Sequence, residues 1–156
     1  MTNACGSCTA CCKVFAIPEL TKPAGAWCKH CDIGVGCKTY DNRPQMCIDF
    51  KCIWLLSQAV PGQELPANLR PDKCRVVFSP TTNEDIFAAT QMPGSPDAYR
   101  RKPVRALIKW LNKKGKAVAV GMPGSLTQTL VSPQGKEEVV PMTAPDETGM
   151  QWRADR

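Results

Sequence analysis

The chain has 156 residues, of which 43% are hydrophobic and 22% charged, and its formal net charge is +6. This length suits one compact domain or two small lobes with a modest hydrophobic core. No run of apolar residues approaches the roughly 18 needed to cross a bilayer, so we expect no membrane segment.

Cysteine is the unusual component of the sequence. There are ten cysteines, and only Cys74 lies beyond residue 52. Such a density is typical either of a disulfide scaffold in a secreted protein or of metal ligation in a reducing compartment. The start of the chain, from Met1 to Cys5, shows no signal-peptide pattern. We therefore expect a cytoplasmic protein whose thiols hold a metal, with disulfides as the less favoured alternative.

The first predicted unit is a cysteine-cluster metal-binding region over 1–57. Its opening motif is C-x2-C-x2-C-C, formed by Cys5, Cys8, Cys11 and Cys12. A spacer of two residues lets successive thiolates converge on one ion or one face of a cluster. Adjacent cysteines point apart, so one of Cys11 and Cys12 is expected to serve a second metal, a different corner of a cluster, or the core. The first three cysteines match the start of a bacterial ferredoxin motif, but its completion is missing.

Further cysteines follow within the same region. Cys28 and Cys31 form a second C-x2-C motif, and Cys37 comes after a glycine-flanked turn. Pro44 predicts the start of a helix. On that helix Cys47, Phe50 and Trp54 would share one face, whereas Cys52 would lie about 140° around from Cys47. We therefore expect Cys47 and Cys52 not to ligate the same ion unless the helix is irregular.

The remainder of the chain predicts a small conventional fold. Proline-rich residues 58–74 are expected to form a linker. The α+β unit over 75–145 is predicted to contain a hairpin of strands at 75–78 and 86–89, a helix over 103–113, and strands at 116–120, 126–131 and 138–140. Polar residues 146–156 are expected to form a loose tail. The predicted fold class is thus α+β, with a cysteine-rich, metal-stabilised N-terminal lobe packed on a small C-terminal α+β unit.

The identity of the metal stays open at this point. Zinc and iron–sulfur clusters both accept tetrahedral thiolate surroundings. Two separate C-x2-C motifs are typical of zinc, while the triple motif with scattered single cysteines favours an iron–sulfur cluster, which we prefer. The candidate metal residues are all nine cysteines of the region: Cys5, Cys8, Cys11, Cys12, Cys28, Cys31, Cys37, Cys47 and Cys52.

The spacing of these motifs resembles the YkgJ-type cysteine cluster family. The likeness rests on the CxxCxxCC motif from Cys5 to Cys12, then Cys28, then Gly36-Cys37-x2-Tyr40-x2-Arg43-Pro44-x2-Cys47-x2-Phe50, and covers about a third of the chain. That family is described as a putative zinc- or iron-chelating domain. The resemblance implies a metal-binding set that leaves Cys31 and Cys52 as additions to the pattern: Cys5, Cys8, Cys11, Cys12, Cys28, Cys37 and Cys47. It implies no reaction.

Several neighbouring residues have competing interpretations. His30, the single histidine, lies inside a C-x2-C motif, where middle side chains usually point outward. Cys74 is expected to be a small buried hydrophobic residue. Lys13, Lys38 and Arg43 are candidates to offset thiolate charge, although solvated surface positions are favoured for the two lysines. Trp27 and Trp54 are expected to shield the site from water.

A basic segment suggests a second kind of function. Between Arg100 and Lys116 there are eight basic and no acidic residues. As an alternative, the chain would be a zinc-stabilised adaptor that contacts nucleic acid or an acidic partner through this helix. The aromatic residues of a single-strand binder are sparse there, so nucleic acid is the less favoured partner. The sequence contains no recognisable catalytic set, so we do not predict an enzyme.

Overall fold

A computed structural model of the chain describes residues 5–155. Residues 1–4, which begin the predicted metal-binding region and belong to the stretch used for the signal-peptide expectation, lie outside this range. The last residue of the predicted tail, 156, also lies outside it. The helices are α1 (Ala10–Val14), α2 (Gln45–Asp49), α3 (Ile53–Gln58), α4 (Pro71–Cys74) and α5 (Lys102–Lys113). The strands are β1 (Cys31–Asp32), β2 (Gly36–Cys37), β3 (Val76–Pro80), β4 (Ile86–Gln91), β5 (Ala117–Gly121), β6 (Thr127–Val131) and β7 (Glu137–Pro141). Single 3-10 turns occupy Pro18–Leu20, Tyr40–Asn42, Ala67–Leu69 and Ala98–Arg100.

A five-stranded sheet forms the centre of the fold, in the order β3-β4-β5-β6-β7. Neighbouring strands are antiparallel except β4 and β5, which are parallel and are connected through α5. The predicted hairpin, the predicted helix and the three later strands are all present, each within one or two residues of its predicted bounds. The α+β class is confirmed.

The main core lies between α5 and one face of the sheet. The predicted apolar stripe of α5 is buried, and it packs with strand residues such as Val76, Phe78 and Val118. The stripe consists of Val104, Leu107, Ile108 and Leu111. This spacing places all four side chains on one side of the helix, which fixes the helix against the sheet.

The cysteine-rich lobe packs against the opposite face of β3. Val77 points away from the main core because successive strand residues alternate between the two faces. Together with Met92 it forms a second buried cluster with Ala10 and Val14 of α1. The lobe is therefore joined to the sheet by apolar contacts as well as by the chain.

Residues 58–74 are more ordered than the predicted linker. Leu69 and Cys74 belong to the main core, and Pro71 is also buried at the start of α4. Proline at the first position of a helix needs no backbone N–H partner, so Pro71, one of the prolines that suggested a surface linker, starts a short helix that enters the core. Only the first part of this segment is largely exposed.

The predicted loose tail is held by backbone hydrogen bonds. The Thr143 N–H donates to the Trp152 carbonyl over 2.8 Å, and Met142 and Arg153 form an antiparallel bridge. A Cβ atom added to Gly149 would lie 2.6 Å from the Cβ of Ala16. The tail, predicted to be loose, thus folds back onto the cysteine-rich lobe. Within residues 5–155, every helix is too short or too polar to cross a membrane.

Candidate metal centre

The first cysteine motif wraps around the start of α1. The Cys8 N–H donates to the Cys5 carbonyl over 3.1 Å, which curls the chain before the helix begins. Cys11 and Cys12 then lie in the first turn of α1. The Cys28 N–H donates to the Cys12 carbonyl over 3.0 Å, so the second C-x2-C motif is attached directly to the first.

A short hairpin, with two residues in each strand and three in the loop between them, brings Cys31 and Cys37 together. These two residues are direct partners in the pairing of β1 with β2. The turn between the strands is anchored to the first motif, because the Gly34 N–H donates to the Thr9 hydroxyl over 3.1 Å. Gly34 has a φ of +76°, which a residue with a Cβ adopts only with strain. The glycine therefore permits the turn that carries Cys37 back.

The predicted single helix after Pro44 is wrong. The structure has two short helices, α2 and α3, separated by extended residues that include Phe50 and Cys52. The Phe50 ring packs against Phe15 of the lobe with 4.6 Å between ring centroids. The Cys52 sulfur accepts a hydrogen bond from the Leu55 N–H over 3.5 Å and so caps α3. These tertiary contacts interrupt the helix, and Cys47, Phe50 and Trp54 do not share a face.

Six cysteines make up the Cys12 group, named after its central member. The Cys12 thiol lies close enough to those of Cys11 and Cys31 to interact with them, and Cys11 raises its pKa while Cys31 lowers it. Cys47 lies close enough to Cys12, Cys28 and Cys37 for their charges to raise its pKa. The members of the group are Cys11, Cys12, Cys28, Cys31, Cys37 and Cys47.

Three other cysteines make up the Cys52 group. The charges of Cys52 and Cys8 both raise the pKa of Cys5. Cys8 and Cys52 also both pack against the buried cluster of α1, Val77 and Met92. The charge of Cys12 also raises the pKa of Cys5, so the two groups lie close to each other. Cys47 and Cys52 fall in different groups, but the break between α2 and α3 removes the regular helix on which the sequence expectation for these two residues rested.

Backbone N–H groups point at two sulfurs of the Cys52 group. Burial raises the pKa of both thiols, whereas the backbone N–H groups of Ala10 and Asp72 beside Cys8, and of Leu55 and Trp54 beside Cys52, act to lower it. Such donors favour the thiolate form of cysteine, which is the form that binds metal. The fold therefore orients these sulfurs as acceptors.

Burial dominates the electrostatics of the thiols. Burial, followed by the charges of Cys52 and Cys8, raises the pKa of Cys5 to about 11. Burial and then the charge of Cys12 raise the pKa of Cys47 to about 11 and that of Cys31 to about 12. Several thiolates confined in one lobe repel one another unless a cation is added. The lobe thus disfavours isolated thiolates and would favour them around a cation.

A buried lysine that the sequence analysis missed lies beside the Cys12 group. Lys22 is 7% exposed, and its ammonium group donates to the carbonyls of Phe15, Pro23 (3.1 Å) and Lys13 (3.4 Å). Burial lowers its pKa, while the charges of Cys28, Cys12 and Cys11 act in the opposite direction. No sequence pattern around Lys22 distinguishes it from a surface lysine.

A second polar group supports the Cys52 group. Arg70 forms a bidentate ion pair with Asp72, with distances of 2.6 and 2.7 Å, and also donates to the Ser7 hydroxyl over 3.1 Å. Ser7 lies between Cys5 and Cys8 in the first motif. The ion pair thus connects the cysteine loop to α4. Ser7 and Arg70 are 63 positions apart, and no sequence pattern predicted their contact.

The other residues singled out in the sequence have varied positions. Cys74 is 4% exposed within the main core, as expected. Arg43 stacks on Tyr40, with 3.9 Å from the guanidinium carbon to the ring centroid, and its charge lowers the pKa of the Cys5 thiol against the stronger effect of burial. Lys38 is exposed.

Trp27 packs against the lobe cluster and Trp54 against the main core, so each lies at the boundary between lobe and sheet. Lys13 lies 5.4 Å from the centroid of the Trp27 ring. His30 contributes its backbone carbonyl, which accepts from the Lys38 N–H over 2.8 Å.

The arrangement supplies thiol donors but not a finished coordination shell. All ten cysteines are thiols and none forms a disulfide. Among residues 5–155, no three side chains of cysteine, histidine, aspartate or glutamate are placed so that they hold a metal ion as they stand. Comparison of the chain with protein-family models, with curated proteins and with solved structures found no match. The likeness to the YkgJ-type family therefore rests on its motif alone.

Proposed function

We propose that this chain is a cytoplasmic metal-binding protein that holds an iron–sulfur cluster, or else zinc, through its N-terminal cysteines. The observation that carries the proposal is that separate segments of the lobe bring five cysteines (Cys11, Cys28, Cys31, Cys37 and Cys47) close enough to Cys12 for electrostatic or backbone contact. Clustered thiols add little stability to a small lobe by themselves, because burial and mutual repulsion disfavour their ionised forms. A bound metal would stabilise the thiolates and would therefore account for the clustering.

The donor set fits such a metal in chemical kind. Thiolates are the ligands that zinc and iron–sulfur clusters share. The residues that would hold the metal include the seven cysteines that the family resemblance implies. Cys31 and Cys52 are added because Cys31 lies in the Cys12 group and Cys52 in the Cys52 group. Because no group of three such side chains among residues 5–155 is arranged to hold an ion as it stands, binding would require the thiols to shift towards one another. An iron–sulfur cluster would supply electron transfer, and zinc would supply structural stability.

The chain's own residues would tune the bound state. Lys22 would balance part of the negative charge of the Cys12 group. The N–H donors to Cys8 and Cys52 would stabilise those sulfurs as thiolates. Phe15, Phe50 and Trp27 cover the lobe on the side of the sheet and would limit the access of water.

Anaerobic purification followed by metal and sulfide analysis tests the proposal. We expect iron with acid-labile sulfide and a visible absorption band, or zinc in a colourless protein. A full-length protein that contains neither metal in stoichiometric amount, and that takes up neither on reconstitution, would overturn it.

A matched pair of cysteine variants locates the metal. Cys12→Ser should lower the metal content by more than half, because Cys12 is the centre of the larger group. Cys74→Ser is the control, since Cys74 lies in the main core and donates to the Val76 carbonyl over 3.3 Å. Equal metal loss in both variants would count against a site at the Cys12 group.

A further inference from the structure

A small apolar groove lies between α5 and the segment that precedes α4. Its volume is about 280 Å³, and Asn68 is the one side-chain amide in a lining otherwise apolar or aromatic. Trp110 lies on its rim and is 55% exposed, although it belongs to the most regular helix of the fold. The groove is lined by Leu65, Pro66, Leu69, Pro103, Ala106 and Leu107 in addition to these two.

The size of the groove indicates what it would accept. Small-molecule sites usually enclose about 300–1,000 Å³ and bury most of the ligand. This groove is open and slightly smaller, so it suits one or two apolar side chains of a larger partner.

A row of lysines borders the groove on α5. Lys102, Lys109 and Lys113 lie within about 40° of one another around the helix, next to Ala106 and Trp110. All three are exposed, and none has a carboxylate within ion-pair distance in the part of the chain that the structure describes. In contrast, Arg100 and Arg105 are paired with Glu137, over 3.6 and 2.9 Å.

We propose that this groove and its lysine row form a docking site for an acidic, amphipathic segment of a partner protein. An apolar side chain of that segment would enter the groove against Trp110, while its carboxylates would face Lys102, Lys109 and Lys113. Exposed tryptophan beside a small pocket is typical of an interface centre, and the charges set orientation and association rate.

The distribution of charge favours a protein segment over nucleic acid. Arg100 and Arg105, at the start of the basic segment, are paired with Glu137, which neutralises part of their charge. Fewer unpaired basic residues therefore remain to contact a phosphate backbone. Prolines and leucines line the groove, whereas base-binding surfaces present several stacking aromatic rings. Trp110 is the one aromatic residue among the groove's lining residues.

A random peptide library displayed on phage, selected on the full-length protein, tests the proposal. We expect enrichment of acidic peptides with an aromatic or large aliphatic residue. For one such peptide, fluorescence anisotropy should show at least about tenfold weaker binding to Trp110→Ala. Trp152→Ala is the matched control, because Trp152 is 57% exposed in the tail segment, outside the groove lining.

Charge reversal separates the two parts of the site. Lys109→Glu with Lys113→Glu should weaken binding and reduce its dependence on salt, whereas Lys136→Glu should leave binding unchanged. The proposal is overturned if no acidic peptide is enriched, if Trp152→Ala weakens binding as much as Trp110→Ala, or if a single-stranded oligonucleotide binds more tightly at the same residues. The metal content of these variants should equal that of the wild type, so this test is independent of the proposed metal function.

Discussion

Lys22 is a buried cationic side chain beside the Cys12 group of the cysteine lobe. Its aliphatic stem and ammonium group are almost fully enclosed, and three carbonyls hold the ammonium group in place. A lysine so enclosed loses most of its solvation, which is costly unless nearby negative charge compensates. Thiolates of Cys28, Cys12 and Cys11 would provide that charge in the metal-bound protein.

Replacing Lys22 should therefore weaken metal binding. For Lys22→Met we expect about tenfold lower metal affinity, the lower end of what loss of a supporting contact around a metal site usually costs. Competition with a chelator of known affinity measures the change. Lys38→Met is the control, because Lys38 is exposed near the same cysteines. Equal affinities of wild type and Lys22→Met would show that the charge has no role in binding.

The Arg70–Asp72 pair allows a prediction of pH dependence. Burial raises the pKa of Asp72, but hydrogen bonds and charge from Arg70 outweigh that effect, so the pKa lies below its ordinary value of 3.8. A carboxyl with a lowered pKa stabilises the fold above its ordinary pKa, and this contribution is lost as the pH falls through the lowered value. Asp72→Asn should thus cost about 1 kcal/mol at pH 7 and progressively less in acid.

Urea unfolding of wild type and Asp72→Asn at pH 7 and at acid pH measures this difference. Asp155→Asn is the control, because Asp155 makes a similar contact with Arg153 but its side chain is 42% exposed. A difference for Asp72→Asn that stays constant as the pH falls would contradict the assigned role of the ion pair.

At the scale of elements, sequence periodicity predicted those helices and strands whose positions depend on local packing. The stripe from Val104 to Leu111 fixed the position of α5, and turn residues fixed the β3–β4 hairpin. The helix after Pro44 failed because Phe50 packs on Phe15 and Cys52 caps α3. Helical periodicity accounts for neither contact, because one joins residues distant in the sequence and the other involves a side-chain sulfur.

The return of the tail depends on one glycine. Gly149 has a φ of +82°, and an added Cβ would lie 2.6 Å from the Cβ of Ala16, so Gly149→Ala should displace the tail from the lobe. Gly135→Ala is a matched control, with a φ of +80° and no atom within 4 Å of the added Cβ. Both variants lose about 1 kcal/mol through backbone strain, but only Gly149→Ala should also lose the contact.

Hydrogen exchange distinguishes the two glycine variants. The amides of Thr143 and Ala154, which donate to Trp152 and Pro141, should exchange faster in Gly149→Ala than in Gly135→Ala. Similar exchange in the two variants would mean that the tail does not depend on its contact with Ala16.

At the scale of the whole molecule, the cysteine motifs identified the first 52 residues as a source of thiol donors, but they did not predict how those thiols are grouped. The division of the nine cysteines into two groups depends on the attachment of Cys28 to Cys12, the pairing of Cys31 with Cys37 and the break before Cys52. Those contacts are non-local and leave no periodic signal. The same holds for Lys22 and for the Arg70–Asp72 pair.

The two halves of the molecule should differ in their dependence on metal. Of 21 buried hydrophobic residues in the described range, only four (Ala10, Val14, Ile17 and Cys28) lie before residue 58. So small a core offsets little of the conformational entropy of the lobe, while the sheet and α5 have an apolar core of their own. Removing metal from the purified protein with a chelator should therefore raise hydrogen exchange across 5–57 while β3, β4, β5 and α5 stay protected. The same chelator saturated with zinc is the control, and protection that persists throughout 5–57 after complete metal removal would show that apolar contacts with Val77 and Met92 are enough to hold the lobe.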